Sequence, residues 1–406
     1  MKKTLIAVAA AAALTATSAF AEITFGAWLR VITGVGSNGE DVVMGTTNSW
    51  GGVRPARLNA AGTSEDGKAG FKLDFYFDND EIWGHDYNIR IGDNGYLWVK
   101  PIDQIQLSIG KFDGGETGFR GDFCYGSWNW LRPFNWIADD EGLTFKGSHT
   151  DGLMARITPI DNLVVLVQLP VMNAKWGGNN NGYVAKTETE DAKNTAADVF
   201  KNAAYMASYS IEGVGTLKAG FFGADGEITK EGKKYNQTGT VNVAFDLNAI
   251  ENLYVTVGAF FDIADKETGS GHEKMKFTAG ASYQVSDAMK FSVSGGYVKY
   301  MDKCAWLGNK DNAFGIGAGV DYVIMDGLTL NADVRYKNVG YGKKGDDGSV
   351  SFLAGVVKSV GGNASLQAGF QGSTNGCGLV QADTGIPAVE KDDFVWAIPV
   401  GLSVFF

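Results

Sequence analysis

Cysteine, proline, histidine and basic charge are all scarce in this chain of 406 residues. Its three cysteines, Cys124, Cys304 and Cys377, are an odd number spread over more than half the chain, which excludes a dense disulfide framework. No CxxC pair occurs, and His85, His149 and His272 stand alone, so no metal and no cofactor is expected. Seven prolines against 56 glycines, without a Gly-X-Y period, exclude both collagen and a Pro/Gly-rich disordered chain. Lys and Arg number 35 against 46 Asp and Glu, a net charge of −11, and such a chain lacks the basic stripe that nucleic acid requires. GxSxG, HExxH and Walker sequences are missing, so nothing points to an enzyme. Past the first 21 residues no stretch reaches 18 apolar residues, which excludes a helical membrane protein. What is abundant is glycine, at about twice the ordinary ~7%, together with aromatics at 12%.

The first 21 residues read as an export signal. Lys2 and Lys3 precede an apolar stretch from Leu5 to Leu14, and Ala19-Phe20-Ala21 supplies a small-x-small cleavage site. Cleavage after Ala21 removes two lysines and no acid, so the expected mature chain, residues 22–406, carries −13. It is expected to form one domain.

A period of two then runs through the chain. Ala69, Phe71, Leu73, Phe75 and Phe77 are apolar, with Lys72, Asp74, Tyr76 and Asp78 between them. Leu253, Val255, Val257, Ala259 and Phe261 repeat the pattern, as do Leu328, Leu330, Ala332, Val334 and Tyr336. Successive strand side chains point to opposite faces, so each segment has one apolar and one polar, glycine-dotted face. Gly315-Ile316-Gly317-Ala318-Gly319 belongs to this pattern and is no nucleotide loop, because no helix follows it.

The connections alternate between short and long. Tight turns are expected at 64–67, 101–103, 159–162, 212–215, 249–252, 287–289, 325–327 and 361–363. Longer polar stretches fall at 37–51, 113–140, 172–202, 224–239, 266–274 and 374–392. One rim therefore carries turns and the other loops, the asymmetry of an outer-membrane barrel. Eight hairpins and one strand at each end give 18 antiparallel strands, or 16 if the interrupted regions 42–63 and 79–100 hold one hairpin fewer. Backbone groups in lipid must all be paired, so the expected fold is an all-β, closed transmembrane barrel. Trp98, Trp396, Tyr283 and Tyr336 suit its aromatic girdle. Cys304 and Cys377, both assigned to long loops, are the expected partners if any disulfide forms.

In the last segment Phe394, Trp396, Ile398, Val400, Leu402, Val404 and Phe406 occupy one face, and Pro399 is expected to force a bulge. Gly401, Val404 and Phe406 resemble the terminal signal that outer-membrane assembly machinery reads. With this signal, Gly110-Lys111-Phe112-Asp113 and the turn Thr158-Pro159-Ile160-Asp161-Asn162, the chain resembles a bacterial outer-membrane porin, in style similar to spirochaete (Treponema-type) porin-like proteins. That resemblance implies passive diffusion of small hydrophilic solutes and ions, contact with outer-membrane lipids, assembly often as a homotrimer, and a constriction made by the third long loop.

Loop 113–140 carries Asp113, Glu116, Asp122, Asp139 and Asp140, candidates for the acidic side of a constriction, against Arg120 and Arg132. Parity puts Arg30, Arg57, Lys72 and Arg156 on the polar face, a candidate basic wall that would face those acids or else be locally paired. The acidic balance predicts weak cation selectivity. A sugar-selective channel, with Tyr76, Tyr254 and Trp28 as a stacking path, and an adhesin or antigen displayed on a barrel are the alternative readings.

Overall fold

The computed structural model of the chain describes residues 22–37, 41–47, 56–79, 87–112, 118–119, 151–169, 196–230, 233–264, 273–304, 310–339, 348–374 and 394–406. The expected export signal at 1–21 lies outside these residues, as do Cys124 and Cys377.

The first strands are β1 (Glu22–Ser37), β2 (Val42–Thr47), β3 (Ala56–Thr63), β4 (Ala69–Asn79), β5 (Tyr87–Ile102) and β6 (Ile105–Lys111). After them come β7 (Asp151–Ile157), β8 (Leu163–Leu169), a short helix α1 (Ala196–Lys201), β9 (Ala204–Ile211), β10 (Gly215–Lys230), β11 (Lys233–Leu247) and β12 (Leu253–Ala264). The last are β13 (Glu273–Ser286), β14 (Met289–Cys304), β15 (Lys310–Met325), β16 (Leu328–Lys337), β17 (Ser349–Ser359), β18 (Ala364–Ser373) and β19 (Val395–Phe405). Consecutive strands pair antiparallel, apart from β2 and β3. β1 closes the sheet on β19 from Trp28↔Phe405 to Ser37↔Trp396. β2 and β3 both pair with β1, at Ile32–Ser37 and Glu22–Leu29, so they are two pieces of one barrel strand. The result is a closed antiparallel barrel of 18 strands.

All eight expected turns are where the alternation breaks. Most are closed by a residue in the left-handed region, such as Gly67 (φ 67°) and Asn162 (φ 66°), residue types that enter it at little cost. In the first turn Ser64 Oγ donates to Asp66 Oδ1 at 2.6 Å, and the Lys68 N–H donates to the same oxygen at 3.0 Å. The Ser64 hydroxyl, and next the Lys68 amide, hold the Asp66 carboxyl below its ordinary pKa.

The long-loop rim departs from expectation in two places. Stretch 37–51 is not all loop, because Ser37 pairs with Val42 and the ladder continues to Ile32↔Thr47. In stretch 224–239 the β10–β11 ladder runs on to Lys230↔Lys233, past a register shift between Gly223 and Gly226. Polar residues pair in water as readily as apolar ones do in lipid, so polarity alone does not end a strand. Cys304 is likewise the last residue of β14, opposite Lys310, and not a loop residue. Regions 42–63 and 79–100 hold one strand each, the second as β5 unbroken through Asn94-Gly95 but bulged there.

Burial is inverted relative to a water-soluble protein. Phe25 is 70% exposed, Leu97 61% and Ile316 56%, whereas Asp74 and Gln168 are fully buried. The exposed apolar residues form the lipid face and the buried polar ones line the interior, as parity requires. Near the long-loop rim the outer face carries aromatic pairs, including Phe261 with Phe277, Phe314 with Tyr336, and Phe370 with Trp396. Trp98 corrects the expected girdle. It stands opposite Gly70 and Ser108, and a Cβ on Gly70 would meet its indole at 2.5 Å, so it faces inward while Leu97 and Val99 face out. An aromatic's preference for the interface does not override the period of two. Pro399 causes no bulge: Gly34↔Pro399 sits in an unshifted β1 ladder. The cost of its missing N–H falls on β18, where pairing lapses between Ala368↔Val400 and Gln371↔Ala397.

Two outcomes follow for this architecture. The folded protein resists SDS until boiled, because a closed sheet has no frayed edge, and unchanged gel mobility on heating would contradict closure. A lysine at outward Val257 or Val334, well inside the membrane band, costs about 2–4 kcal/mol in urea unfolding from lipid vesicles. At Leu330, only three residues beyond Gly327, the same change costs about 0–1 kcal/mol. Inward Thr256 and Asn331 are not open wall positions, since each donates to a carboxylate, Asp246 and Asp321 respectively. Lysine there breaks a hydrogen bond instead of meeting lipid.

The lumenal wall as candidate functional site

Strands β3, β4 and β5 build a polar cluster on the inner wall. The β4–β5 register runs from Leu73↔Gly95 directly to Phe75↔Ile91, so Gly92, Asp93 and Asn94 together oppose Asp74. Such a bulge bends the strand locally and increases its twist. A Cβ at Gly92 would lie 2.9 Å from the Asp74 Cβ and 3.0 Å from the Tyr76 ring, which is why glycine occupies the position. Asp74 Oδ2 accepts from Arg57 Nη2 at 2.6 Å, from the Asn94 backbone N–H at 2.9 Å and from Asn94 Nδ2 at 2.7 Å. The Tyr76 hydroxyl donates to Asp93 Oδ2, which lies 3.8 Å from Arg57 Nη1. The guanidinium also sits 5.8 Å from the centre of the Tyr76 ring, within cation–π range.

Arg57 is therefore locally paired and does not present a bare positive charge. The other members of the expected basic wall are dispersed. Arg30 occupies a β1 position opposite Ser403, beside the Trp28↔Arg57 pair. Lys72 lies on β4 opposite Ala61 and Tyr96, four residues nearer the short-turn rim than Arg57's partner Tyr76. Arg156 is exposed on β7 opposite Gln106 and Leu166, at the short-turn mouth. The structure brings the Arg30 and Arg57 positions together and leaves Arg156 apart.

Sequence reasoning missed the acids that neutralise this wall. Asp74 and Asp93 are two of them, and Asp246 is another, bound to buried Lys218 and accepting from Thr256 Oγ1 at 2.7 Å. Asp333, Arg335 and Lys337 line β16 almost fully buried. The parity that selected Arg57 marks Asp74, Lys218, Asp246 and Arg335 equally well. It could not mark Asp93, because a bulge breaks parity.

The five candidate constriction acids, Asp113, Glu116, Asp122, Asp139 and Asp140, lie outside the described residues. Phe119, from the same loop, does not. It packs against an apolar patch of Leu166, Ala204, Met206, Phe222 and Ala244, flanked by Val164 and Phe260. These residues share the inward parity of Gln168, Ser208, Lys218 and Asn242. An apolar seat on an otherwise polar inner wall stabilises an aromatic resting there by removing both from water. At about 3.3 Å per residue and a tilt near 40°, the patch and the Asp93 bulge both stand roughly 10–20 Å above the short-turn rim.

A closed 18-stranded barrel, apolar outside, with a polar and charged interior, is a transmembrane channel of the outer-membrane type. Residues 7–342 match the Gram-negative porin family, and the chain belongs to it. It resides in the bacterial outer membrane. No curated protein sequence matches it. Among solved structures it is similar to an anion-selective porin from Comamonas acidovorans, at 15% identity and a TM-score of 0.53 over 95% of this chain and 99% of that one. A mutant porin of Rhodopseudomonas blastica matches at 13% and 0.49, covering 95% and 100%. The outer-membrane channel DcaP of Acinetobacter baumannii matches at 10% and 0.48, covering 95% and 97%.

Replacing Asp74 by alanine strands both Asn94 donors in a buried site and leaves the partly buried Arg57 with the more distant Asp93. The expected cost is about 1–3 kcal/mol in urea unfolding from vesicles. A loss below about 1 kcal/mol would mean that the cluster is not what holds the β5 bulge.

Proposed function

We propose that this porin is a passive pore for small hydrophilic solutes and ions, without a catalytic step, constricted by loop 113–140 and weakly cation-selective. The observation that supports the constriction is Phe119, a residue of that stretch, packed against the inner wall. From Asp113 to Asp140 the loop holds five acids against Arg120 and Arg132. A net negative passage between low-dielectric walls concentrates cations. The pairing of Arg57 with Asp74 supports this sign, because it neutralises one member of the opposing wall, while Arg30, Lys72 and Arg156 still work against it. A sugar-stacking path is not favoured, since Tyr76 is 2% exposed and turned into the Asp93 cluster. We propose also that Gly401, Val404 and Phe406 form the terminal assembly signal and that the barrel forms homotrimers, as a structurally similar Vibrio cholerae protein, OmpT, is described in a trimer form.

Reversal potentials across a potassium chloride gradient test the reading. Cation preference is expected to be strongest at low ionic strength, since the Debye length falls from ~30 Å at 0.01 M to ~3 Å at 1 M. Neutralising Asp113, Glu116 and Asp122 together is expected to reduce it. Anion preference at low salt would overturn the acidic constriction.

A further inference from the structure

We infer that the inner wall of β17, β18 and β19 is a binding track for uncharged solutes rich in hydroxyl groups, with the Gln371 carboxamide as its principal hydrogen-bonding group. The inference rests on the pore reading and deepens it by naming the class of solute that the wall retains.

Register and burial fix which side chains line this strip. Gln371 stands opposite Leu353 and Ala397, all three at 2% exposure or less, while neighbouring Phe370 and Ile398 face outward. By the same parity Ser351 faces inward opposite Ser373, and Ser365 opposite Ser403. The hydroxyls within these pairs are hydrogen-bonded at 2.9 and 2.7 Å. Gln367, 4% exposed, lies between the two pairs and opposite Gly401. No inward residue of these three strands is charged. The strands on either side do carry charge, as Asp333, Arg335 and Lys337 on β16 and Arg30 on β1. At ~4.8 Å between strands, the uncharged strip is about 10 Å wide from β17 to β19.

Within the strip the two glutamines differ from the serines. Among the described residues, neither Oε1 nor Nε2 of Gln371 has a hydrogen-bond partner, and Oε1 of Gln367 has none. Buried polar groups are ordinarily paired, because a bond left unmade there costs the desolvation of the group. A carboxamide offers two donors and an acceptor in one plane, the complement of adjacent hydroxyls, which both donate and accept. The neighbours of Gln371 along β18 and across on β19 are small, namely Gly369, Ser373 and Ala397. The amide therefore reaches a solute by a change of rotamer, with the backbone in place. An ion gains no counter-charge from this strip, whereas an uncharged polyol replaces lost water with amide and hydroxyl bonds. The track needs no aromatic ring and is separate from a stacking path through Tyr76.

The experiment is solute block of the ion current through the refolded full-length mature protein in planar bilayers. It uses 1 M potassium chloride, where a Debye length of ~3 Å screens charge on the loops. The probes are stachyose, an uncharged tetrasaccharide, and polyethylene glycol of the same hydrodynamic size, whose ether oxygens accept but do not donate. Stachyose is expected to block the wild-type current saturably, beyond the excluded-volume decrease that polyethylene glycol gives. Gln371→Met is expected to weaken that block about fivefold, the worth of one hydrogen bond. Gln367→Met weakens it too, and the double variant more than either. An apolar side chain of similar length in place of an unpaired amide leaves resistance to urea unchanged or raised, whereas a merely structural role for Gln371 would lower it. The heat-modifiable band in SDS verifies folding, and should one variant not fold, the other carries the comparison. Equal reduction by the two probes, or a stachyose block that both variants leave at wild-type strength, would overturn the inference. Folded protein that forms no ion-conducting channel would instead overturn the pore reading, and the track with it.

Discussion

A bilayer interior offers a peptide group nothing to hydrogen-bond with, so every N–H and C=O that crosses it must find a partner within the protein. In this chain the ten β1–β19 pairs from Trp28↔Phe405 to Ser37↔Trp396 meet that demand by removing the last free edge. The other features depend on closure. Once the sheet is closed, each strand has one side toward lipid and one toward the lumen, and the period of two becomes an inside-out protein. Even the defects obey the rule. Pro399 lacks an N–H, and the barrel accepts a lapse toward β18 while keeping its register toward β1. A shift of one residue there would have turned the whole terminal apolar face inward.

Closure also creates an interior wall where charges sit in partial burial, and partial burial favours pairing. Lys218 with Asp246, and Arg57 with Asp74, hold each other on the wall. Charge that is paired at hydrogen-bond distance contributes little to the field felt across the lumen. The charge that reaches a passing ion is what remains after pairing, together with exposed groups such as Arg156. A count of basic residues on the polar face therefore overstates the positive potential. The apolar seat under Phe119 is the complementary exception, a place on the inner wall where apolar side chains receive an aromatic ring.

Much of this architecture was legible in the residues. Alternation such as Leu253 to Phe261, and turn chemistry such as that around Gly67 and Asn162, placed all eight turns and narrowed the strand number to 18 or 16. Side-chain parity and left-handed turn residues are local properties, written within a few positions of one another. The family was legible too, whereas the narrower likeness to spirochaete porins rests on the sequence alone. Strand ends at the loop rim were not legible, because Thr229 and Lys230 pair in water without any apolar signature. Trp98 was misplaced when residue type was read ahead of parity.

The sequence by itself thus determined a closed barrel of 18 or 16 strands with a polar lumen, since each of those properties follows from short-range pattern plus the demand for paired backbone. Only the tertiary structure decided which charges meet. Arg57 and Asp74 are 17 positions apart and Lys218 and Asp246 are 28 apart, brought together by cross-strand register that spans whole hairpins. Only the tertiary structure, too, placed Phe119 on strands that lie far along the chain, and turned Asp93 into the lumen. A bulge cancels the parity from which side-chain direction is read, so nothing in the sequence of β5 alone says which way that carboxylate points.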